Sequence, residues 1–323
     1  MTALVHLASG VGNIVLATPL LIALDELGFT VDVWLDADYP QTADLLRPWS
    51  VVRGVHVTRR PDARALAQYD VVVPAIPPFY WRRFGGASRG GARTAQRPPD
   101  RLFAEDEQAY YLEFARALGY SRGRRPVCRL PIGARDDEDR VGLGTVVIAP
   151  GCKTGRMAAK RWPYFPELAA RFADVAIVGT SDDLRRHDGG EMRFPGHARS
   201  FVGTLTLRDT AELMAAAGVV VANDSGLAHV AAAVGTPTIM LFGPTGHACL
   251  GALPPNSSVI RAGLPCEPCW TTAPLAACAG RVDCLARLSV DVVEQQIRAL
   301  VGRRDEEADG SGGQDGDSAV RAW

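Results

Sequence analysis

The stretch VVVANDSGLAHVAAAVGTPTIMLFGPT, residues 219–245, decides the fold class of this chain. It begins with three valines and ends with the apolar run 238–242, and each run has the length and composition of a strand buried on both faces. The small residues between them predict a helix over 229–234 that ends at Gly235 and Pro237. A strand, a polar turn, a helix and a second strand predict a βαβ unit of a parallel sheet.

The polar turn of this unit consists of Asn223, Asp224, Ser225 and Gly226. We expect it at the carboxyl end of a strand and the amino end of a helix, where backbone N–H groups and the helix dipole favour anions. The same residue types are also ordinary helix caps. The turn alone therefore leaves two interpretations open, an anion site and a plain cap.

Composition narrows the class of protein. The chain has 323 residues, of which 47% are hydrophobic and 22% charged, and its net charge is −1. The length predicts about two domains, and the charge balance provides no general attraction to nucleic acid or an anionic membrane. No apolar run approaches the roughly 20 residues of a membrane span, and the first residues do not resemble a signal peptide. These features predict a cytoplasmic protein without a transmembrane segment.

Short apolar strands alternate with helices through two parts of the chain, which predicts an α/β fold with two parallel sheets. We place a first Rossmann-like domain at 1–135 and a second at 136–301. Residues 302–323 are polar and rich in Gly and Asp, which predicts a disordered tail. The segment 77–101, rich in Gly, Arg and Pro, is longer than a normal connection and predicts a substrate loop or a disordered segment.

The first strand is followed by a glycine-rich turn, in which Gly10 and Gly12 precede a helix. Such a turn, with Asp36 ending the second strand, invites a dinucleotide-binding interpretation. The third glycine of that fingerprint is replaced by Val15, so the pattern is weak. A nicotinamide-dependent oxidoreductase remains an alternative. Any substrate that approaches this loop closely still requires the two glycines.

Cationic residues mark the first strand–helix loop of the second domain, where Lys153, Lys160 and Arg161 cluster. The loops 150–163 and 222–229 belong to one predicted sheet and would face one crevice, a geometry that suits a diphosphate. Lys153, Lys160 and Arg161 could also be ordinary surface charges. In a third loop, Asp182 and Asp183 could accept ribose hydroxyls or cap a helix.

Together these segments resemble glycosyltransferase family 9, the heptosyltransferase family. The resemblance implies a GT-B fold with two Rossmann-like domains, and transfer of a sugar, typically a heptose from its ADP derivative, with inversion at the anomeric carbon. It implies a nucleotide-sugar donor and no catalytic metal, and it leaves a glycan, a protein or a small molecule as the acceptor. The motifs that carry it, in chain order, are Gly10-Val11-Gly12-Asn13 to Thr18-Pro19-Leu20, Pro150-Gly151, Lys160-Arg161-Trp162-Pro163, Asn223-Asp224-Ser225-Gly226 with His229, Gly235-Thr236-Pro237 and Phe242-Gly243-Pro244.

The resemblance also implies roles for single residues. Lys160 would hold the donor diphosphate, and the turn Asp224-Ser225-Gly226 with the following helix would supply N–H donors. His229, on the first turn of that helix, would lie toward the donor. Asp183 lies where the family often carries an acid that contacts the nucleotide ribose.

The chain departs from the family at one position. Many members carry Asp after the second glycine of the first loop, where it is regarded as the catalytic base, but this chain carries Asn13. An amide can position an acceptor hydroxyl but cannot take its proton. The base must lie elsewhere, with Asp100, Glu105 and Asp106 as candidates and Asp106 ranked first. Otherwise the chain is a non-catalytic sugar-nucleotide-binding or assembly protein.

The last constellation is a set of four cysteines. Cys266 and Cys269 form a C-x2-C pair, and Cys278 and Cys284 follow within 19 residues. Four thiolates can enclose one tetrahedral ion, which makes a closed, structural site. We therefore predict structural zinc or iron on these four cysteines.

Overall fold

The computed structural model describes residues 1–8, 10–59, 61–81, 93–134, 141–269, 275 and 278–310, with only the backbone described for 302–310. The predicted division between domains at 135/136 falls outside these ranges, and so do residues 82–92 of the predicted substrate loop. All four cysteines of the predicted metal site are described, but the segment between Cys269 and Cys278 is described only at Leu275.

The first sheet contains five parallel strands in the order β3-β2-β1-β4-β5. Its central strands are largely apolar and buried on both faces, as a parallel sheet covered by helices requires. The strands are β1 Thr2–Leu7, β2 Thr30–Leu35, β3 Val52–Val57, β4 Val71–Ala75 and β5 Arg93–Thr94.

The second sheet contains six parallel strands in the order β11-β10-β9-β6-β7-β8. The predicted βαβ unit is confirmed, since its two strands pair in parallel, with Val221 opposite Ile239. The strands are β6 Val146–Ala149, β7 Val175–Ile177, β8 Arg199–Ser200, β9 Val219–Asn223, β10 Thr238–Leu241 and β11 Ser257–Ile260.

The helices lie on both faces of these sheets. One apolar cluster includes side chains of both domains, among them Val5 and Val230, so the domains pack directly against each other. The helices are α1 Val11–Leu16, α2 Thr18–Glu26, α3 Ala43–Leu46, α4 Ala63–Leu66, α5 Asp100–Glu105, α6 Glu107–Arg116, α7 Phe165–Ala169, α8 Leu207–Ala216, α9 Gly226–Ala233, α10 Asp283–Ala286 and α11 Val290–Gly310.

Pro19 divides the chain after the glycine-rich turn into two helices. Helices α1 and α2 meet at Ala17, because Pro19 has no N–H to donate and occupies the first turn of α2. Helix α11 continues to Gly310, beyond residue 302, where the sequence pattern predicts the start of a disordered tail. Within the described chain, none of the helices has the length and apolar character to cross a membrane.

Candidate active site

A cleft of about 850 Å³ separates the two sheets at the ends of their strands. The N-terminal domain contributes the loop before α1 and the start of α6 to its walls. The C-terminal domain contributes the loops that follow β6, β7, β9 and β10. Ligands of parallel α/β sheets bind at this carboxyl edge of the strands. The predicted convergence of the loops 150–163 and 222–229 is confirmed.

The starts of α1 and α9 face each other across this cleft. A Cβ atom at Gly226 would lie 2.9 Å from Cβ of Val11, and one at Gly12 would lie 2.8 Å from Cδ2 of His229. Carbon atoms do not pack that closely, so both positions require glycine. Gly12 therefore serves the contact between the domains, whereas the sequence interpretation assigned it to a substrate.

Asn223, at the end of β9, connects two loops of the second domain. Its Nδ2 donates to the carbonyl of Pro150 at 2.5 Å, and its Oδ1 accepts from the backbone N–H of Trp162 at 2.9 Å. The side chain is fully buried, so breaking either hydrogen bond would leave an unsatisfied polar group. Asn223 thus fixes the loop that carries Lys160 relative to the turn before α9.

Lys160 and Asp224 form a buried ion pair at the floor of the cleft. Lys160 Nζ donates to Asp224 Oδ2 at 2.9 Å, and the Thr245 hydroxyl donates to the same oxygen at 2.8 Å. Burial raises the pKa of Asp224, but Lys160 outweighs it and holds that pKa below its usual range. Asp224 is therefore ionised and holds the Lys160 ammonium in place.

The amino end of α9 opens into the same space. Ser225 is its N-cap residue, but the Ser225 side chain makes no capping hydrogen bond. Ser225 Oγ is buried and has no hydrogen-bond partner among the described residues. The first backbone N–H groups of a helix also lack partners within the helix. The end of α9 thus offers several donors to an anion.

A second cation, Lys153, reaches across the cleft from the C-terminal domain. A Cβ atom at Gly10 would lie 3.2 Å from its Cε, so Lys153 lies against the first loop of the other domain. It forms no ion pair or side-chain hydrogen bond with the described part of the chain. Partial burial and the nearby Lys160 lower its pKa.

His229 also lines the cleft and is buried, and its position toward the donor stays a prediction. Burial lowers its pKa to about 4 although Asp224 acts in the opposite direction. The imidazole is therefore neutral near pH 7. Its close contact with Gly12 makes it part of the domain junction.

Asp183 lines the cleft too, but its carboxylate already has partners. Oδ2 accepts from the backbone N–H and the hydroxyl of Thr180 in a capping box, and Oδ1 lies 3.7 Å from Arg161. The side chain also packs against Gly151, where there is no room for a Cβ. Capping, the alternative left open by the sequence, accounts for these contacts, and a contact between Asp183 and a ribose stays a prediction.

Glu107 is the residue that the sequence interpretation missed. It is the first residue of α6, it lines the cleft, and its Oε1 accepts from Asn13 Nδ2 at 2.6 Å and from the Tyr111 hydroxyl at 3.0 Å. Burial raises its pKa to about 7, and both hydrogen bonds oppose that rise. The sequence contains one local signal, because Glu107 lies one helical turn before Tyr111, but that spacing does not reveal the contact with Asn13.

The structure does not support Asp106 as the base. Asp106 caps α6 by accepting from the N–H of Ala109, and its two oxygens each accept from Arg125 at 2.6 Å. Burial raises the pKa of Asp106, but the Arg125 hydrogen bond and the cap outweigh it, and the pKa lies below its usual range. Asp106 is not among the residues that line the cleft. Its role in the structure is to start the helix.

The other two candidates do not line the cleft either. Asp100 pairs with Arg97 on the surface, and Glu105 is exposed at the end of α5. Asp100 begins α5, where the helix dipole favours an acid.

The four cysteines are all free, and Cys278 and Cys284 are buried. Among the described residues, no three His, Cys, Asp or Glu side chains lie close enough to share a metal ion. The predicted ligand set therefore rests on the spacing of the cysteines.

A model of glycosyltransferase family 9 (heptosyltransferase) matches residues 114–278, half of the chain. The chain belongs to glycosyltransferase family 9. Lipooligosaccharide heptosyltransferase 2 of Haemophilus influenzae is 34% identical over 122 residues, which are 35% of this chain and 35% of that relative. The match thus spans about a third of the curated relative.

Solved structures share the fold over nearly the whole chain. Escherichia coli ADP-heptose LPS heptosyltransferase II has a TM-score of 0.71 at 20% identity, covering 94% of this chain and 100% of that one. The iron-containing dodecameric glycosyltransferase TibC of enterotoxigenic E. coli has a TM-score of 0.61 at 18% identity, covering 96% and 80%. These similarities confirm the GT-B fold that the sequence resemblance implied.

Proposed function

We propose that this family 9 chain is an inverting glycosyltransferase that moves a heptose from an ADP-heptose-type donor to an acceptor hydroxyl. The observation that carries the proposal is the set of anion-binding groups on one wall of the cleft. Lys160, held by Asp224, lies beside the amino end of α9, and Lys153 reaches in from the loop after β6. These groups suit a diphosphate that leaves with developing negative charge.

The charge arrangement explains how the leaving group would be stabilised. The donor diphosphate carries more negative charge as the bond to the sugar breaks, so donors placed in advance stabilise the transition state more than the ground state. Lys153 has no carboxylate partner among the described residues, so its charge is available to a phosphate. Ser225 Oγ and the N–H groups of α9 supply uncharged donors next to it.

The names of the relatives support the choice of donor and acceptor. The E. coli structure is described as an ADP-heptose LPS heptosyltransferase, and the Haemophilus relative as a lipooligosaccharide heptosyltransferase. We infer from them an ADP-linked heptose as the donor and a glycan hydroxyl as the acceptor. A protein or small-molecule acceptor would use the same cleft.

The sequence left two other functions as alternatives. Membership of family 9 removes the basis for an oxidoreductase, whose fingerprint already lacked its third glycine. Asn13 suggested a non-catalytic sugar-nucleotide-binding protein, and the buried carboxylate of Glu107 next to Asn13 supports an enzyme instead.

Sugar transfer is tested by incubating the purified chain with ADP-heptose and a truncated lipopolysaccharide core, and by measuring ADP release and the mass of the glycan. We expect stoichiometric ADP release and a glycan heavier by one heptose. UDP-glucose and GDP-mannose serve as donor controls. Tight ADP binding without product from glycan, protein or small-molecule acceptors would instead support the non-catalytic protein.

We also propose that Cys266, Cys269, Cys278 and Cys284 hold one structural zinc or iron ion. The spacing of the thiols supports this, and so does the iron that the structurally similar TibC contains. Metal analysis of the purified chain should find about one ion per chain, lost in Cys266→Ser. Cys128→Ser, which changes a buried thiol outside the set, is the control and should keep the ion. Metal-free protein that still titrates seven thiols would contradict the site.

We place the protein in the cytoplasm. All seven cysteines are free, and unpaired thiols persist in reducing compartments. Fractionation of the producing cells checks the assignment, and recovery in a periplasmic fraction would contradict it.

A further inference from the structure

We infer that Glu107 is the general base that accepts the proton of the acceptor hydroxyl, with Asn13 holding its carboxylate in position. The inference rests on the proposed sugar transfer and names the residue that takes over from the missing aspartate at position 13.

The geometry of the carboxylate supports this role. Both hydrogen bonds, from Asn13 and from Tyr111, go to the same oxygen, Oε1. In the described part of the chain, Oε2 accepts no hydrogen bond. One oxygen is thus used to orient the group and the other is available to a substrate. A base must lie within hydrogen-bonding reach of the proton that it removes, and Glu107 lines the cleft in which that hydroxyl would bind.

Both domains fix the position of Glu107. The next residue, Gln108, reaches into the C-terminal domain, where its Nε2 donates to the carbonyls of Leu250 at 2.5 Å and Ala252 at 2.8 Å. Asp106, the preceding residue, is held by Arg125. Glu107 therefore lies where the start of α6 meets the other domain, between the two substrate-binding walls.

The other carboxylates that line the cleft already have partners. Asp224 is paired with Lys160, and Asp183 caps the turn at Thr180. Asp182 is largely exposed and faces Arg185 at 3.4 Å. His229 holds a proton too weakly, because burial lowers its pKa to about 4.

The electrostatic surroundings tune Glu107 for proton transfer near neutral pH. Burial raises its pKa to about 7, while Asn13, Tyr111 and Lys153 lower it and the charge of Asp224 raises it. A base works best when its pKa lies near the operating pH, because it is then ionised yet still basic.

The proton balance of the transfer step is simple. The acceptor oxygen forms a bond to the anomeric carbon as the bond from that carbon to the diphosphate oxygen breaks. The electron pair of the broken bond leaves with the diphosphate, next to Lys160 and the start of α9. The hydroxyl proton passes to Oε2 of Glu107 and then to solvent. Attack opposite to the leaving group inverts the anomeric carbon.

The test exchanges the two hydrogen-bonded partners. Glu107→Gln keeps the size of the side chain and removes the base. The double change Asn13→Asp with Glu107→Gln returns a carboxylate to position 13, held by the amide at 107. Glu113→Gln changes a partly exposed glutamate of the same helix, which pairs with Arg116, and is the matched control. Each variant is measured for kcat with ADP-heptose and glycan, for ADP affinity and for the pH dependence of kcat/KM.

We expect Glu107→Gln to lower kcat about 100-fold or more, with ADP affinity within about twofold of the unchanged chain. The double variant should recover at least about tenfold of that loss, with its pH profile shifted, and Glu113→Gln should match the unchanged chain. If the unchanged chain transfers sugar and Glu107→Gln stays within about threefold of it, the inference is overturned. A loss that the double variant neither recovers nor shifts in pH also overturns it. A chain that transfers no sugar in any form contradicts the proposed function instead.

Discussion

At the scale of single residues, two adjacent acids have different roles, one in the structure of a helix and one in the proposed chemistry. Asp106 points to Arg125 and the N–H of Ala109, and Glu107 points to Asn13 and the cleft. At the start of a helix, the side chains of successive residues point in different directions. Adjacent acids can therefore have different roles, one as a cap and the other as a base. In the sequence they are adjacent acids, and the preference of helix starts for acids applies equally to both.

Asp106→Ala should cost stability and lower kcat far less than the loss of the Glu107 carboxylate does. The change removes a helix cap and both contacts with Arg125, and loss of a cap alone costs about 0.5–2 kcal/mol. We expect a melting temperature lower by about 2 °C or more, with kcat reduced far less than in Glu107→Gln. Calorimetry and the transfer assay give the two values. A kcat as low as that of Glu107→Gln, in protein that is fully folded at the assay temperature, would return Asp106 to the active site.

Glu107→Gln should stabilise the chain at alkaline pH. The pKa of Glu107 is raised to about 7, so the folded state prefers its protonated form. Between the ordinary glutamate pKa of 4.5 and about 7, folded protein holds a proton that unfolded protein has released, and its stability falls as the pH rises. A glutamine carries no such cost. The melting temperature of the variant should exceed that of the unchanged chain by about 2 °C or more at pH 8, and the difference should shrink toward pH 5.

Equal melting temperatures of the two proteins at pH 8 would show that the carboxylate ionises without cost. Such a result would contradict the buried environment of Glu107, on which its role as a base depends. Glu113→Gln again provides the control, with no pH-dependent difference expected.

At the scale of elements, the contact between α1 and α9 holds the two walls of the cleft together. Gly12→Ala should disturb it, because the new methyl group would lie 2.8 Å from His229 Cδ2. The imidazole is buried and has little room to move, so we expect weaker ADP binding by about threefold or more and a lower melting temperature. Gly196→Ala adds a methyl group in open space and should change neither. Unchanged binding and stability in Gly12→Ala would show that the domains move apart freely at this contact.

The parts of the site that the sequence predicts are those that depend on residues close together in the chain. The turn Asn223–Gly226 and Lys160 follow strands whose order along the chain predicts that their ends converge. Glu107 meets Asn13 across 94 residues, and no local pattern contains such a contact. Local pattern also could not assign Gly12, because its neighbour His229 comes from the other domain.

At the scale of the whole molecule, each domain supplies a different part of the proposed reaction. The N-terminal domain contributes Glu107 and Asn13, and the C-terminal domain contributes Lys153, Lys160 and the start of α9. The two sheets and their parallel order were predictable from alternating strands and helices. The continuation of α11 to Gly310 was not, because its last turns are polar and resemble a tail.

The diphosphate of the donor is proposed to bind between Lys160 and the start of α9. The most direct test of this proposal is a calorimetric titration of ADP into the unchanged chain and into Lys160→Met, which keeps the length of the side chain and removes its charge. Arg156→Met, an exposed cation on the same loop, is the control. Loss of a charge-assisted contact of about 1.5–3 kcal/mol predicts at least about tenfold weaker binding in Lys160→Met alone. Equal ADP affinity in all three proteins, with each of them folded, would contradict the account.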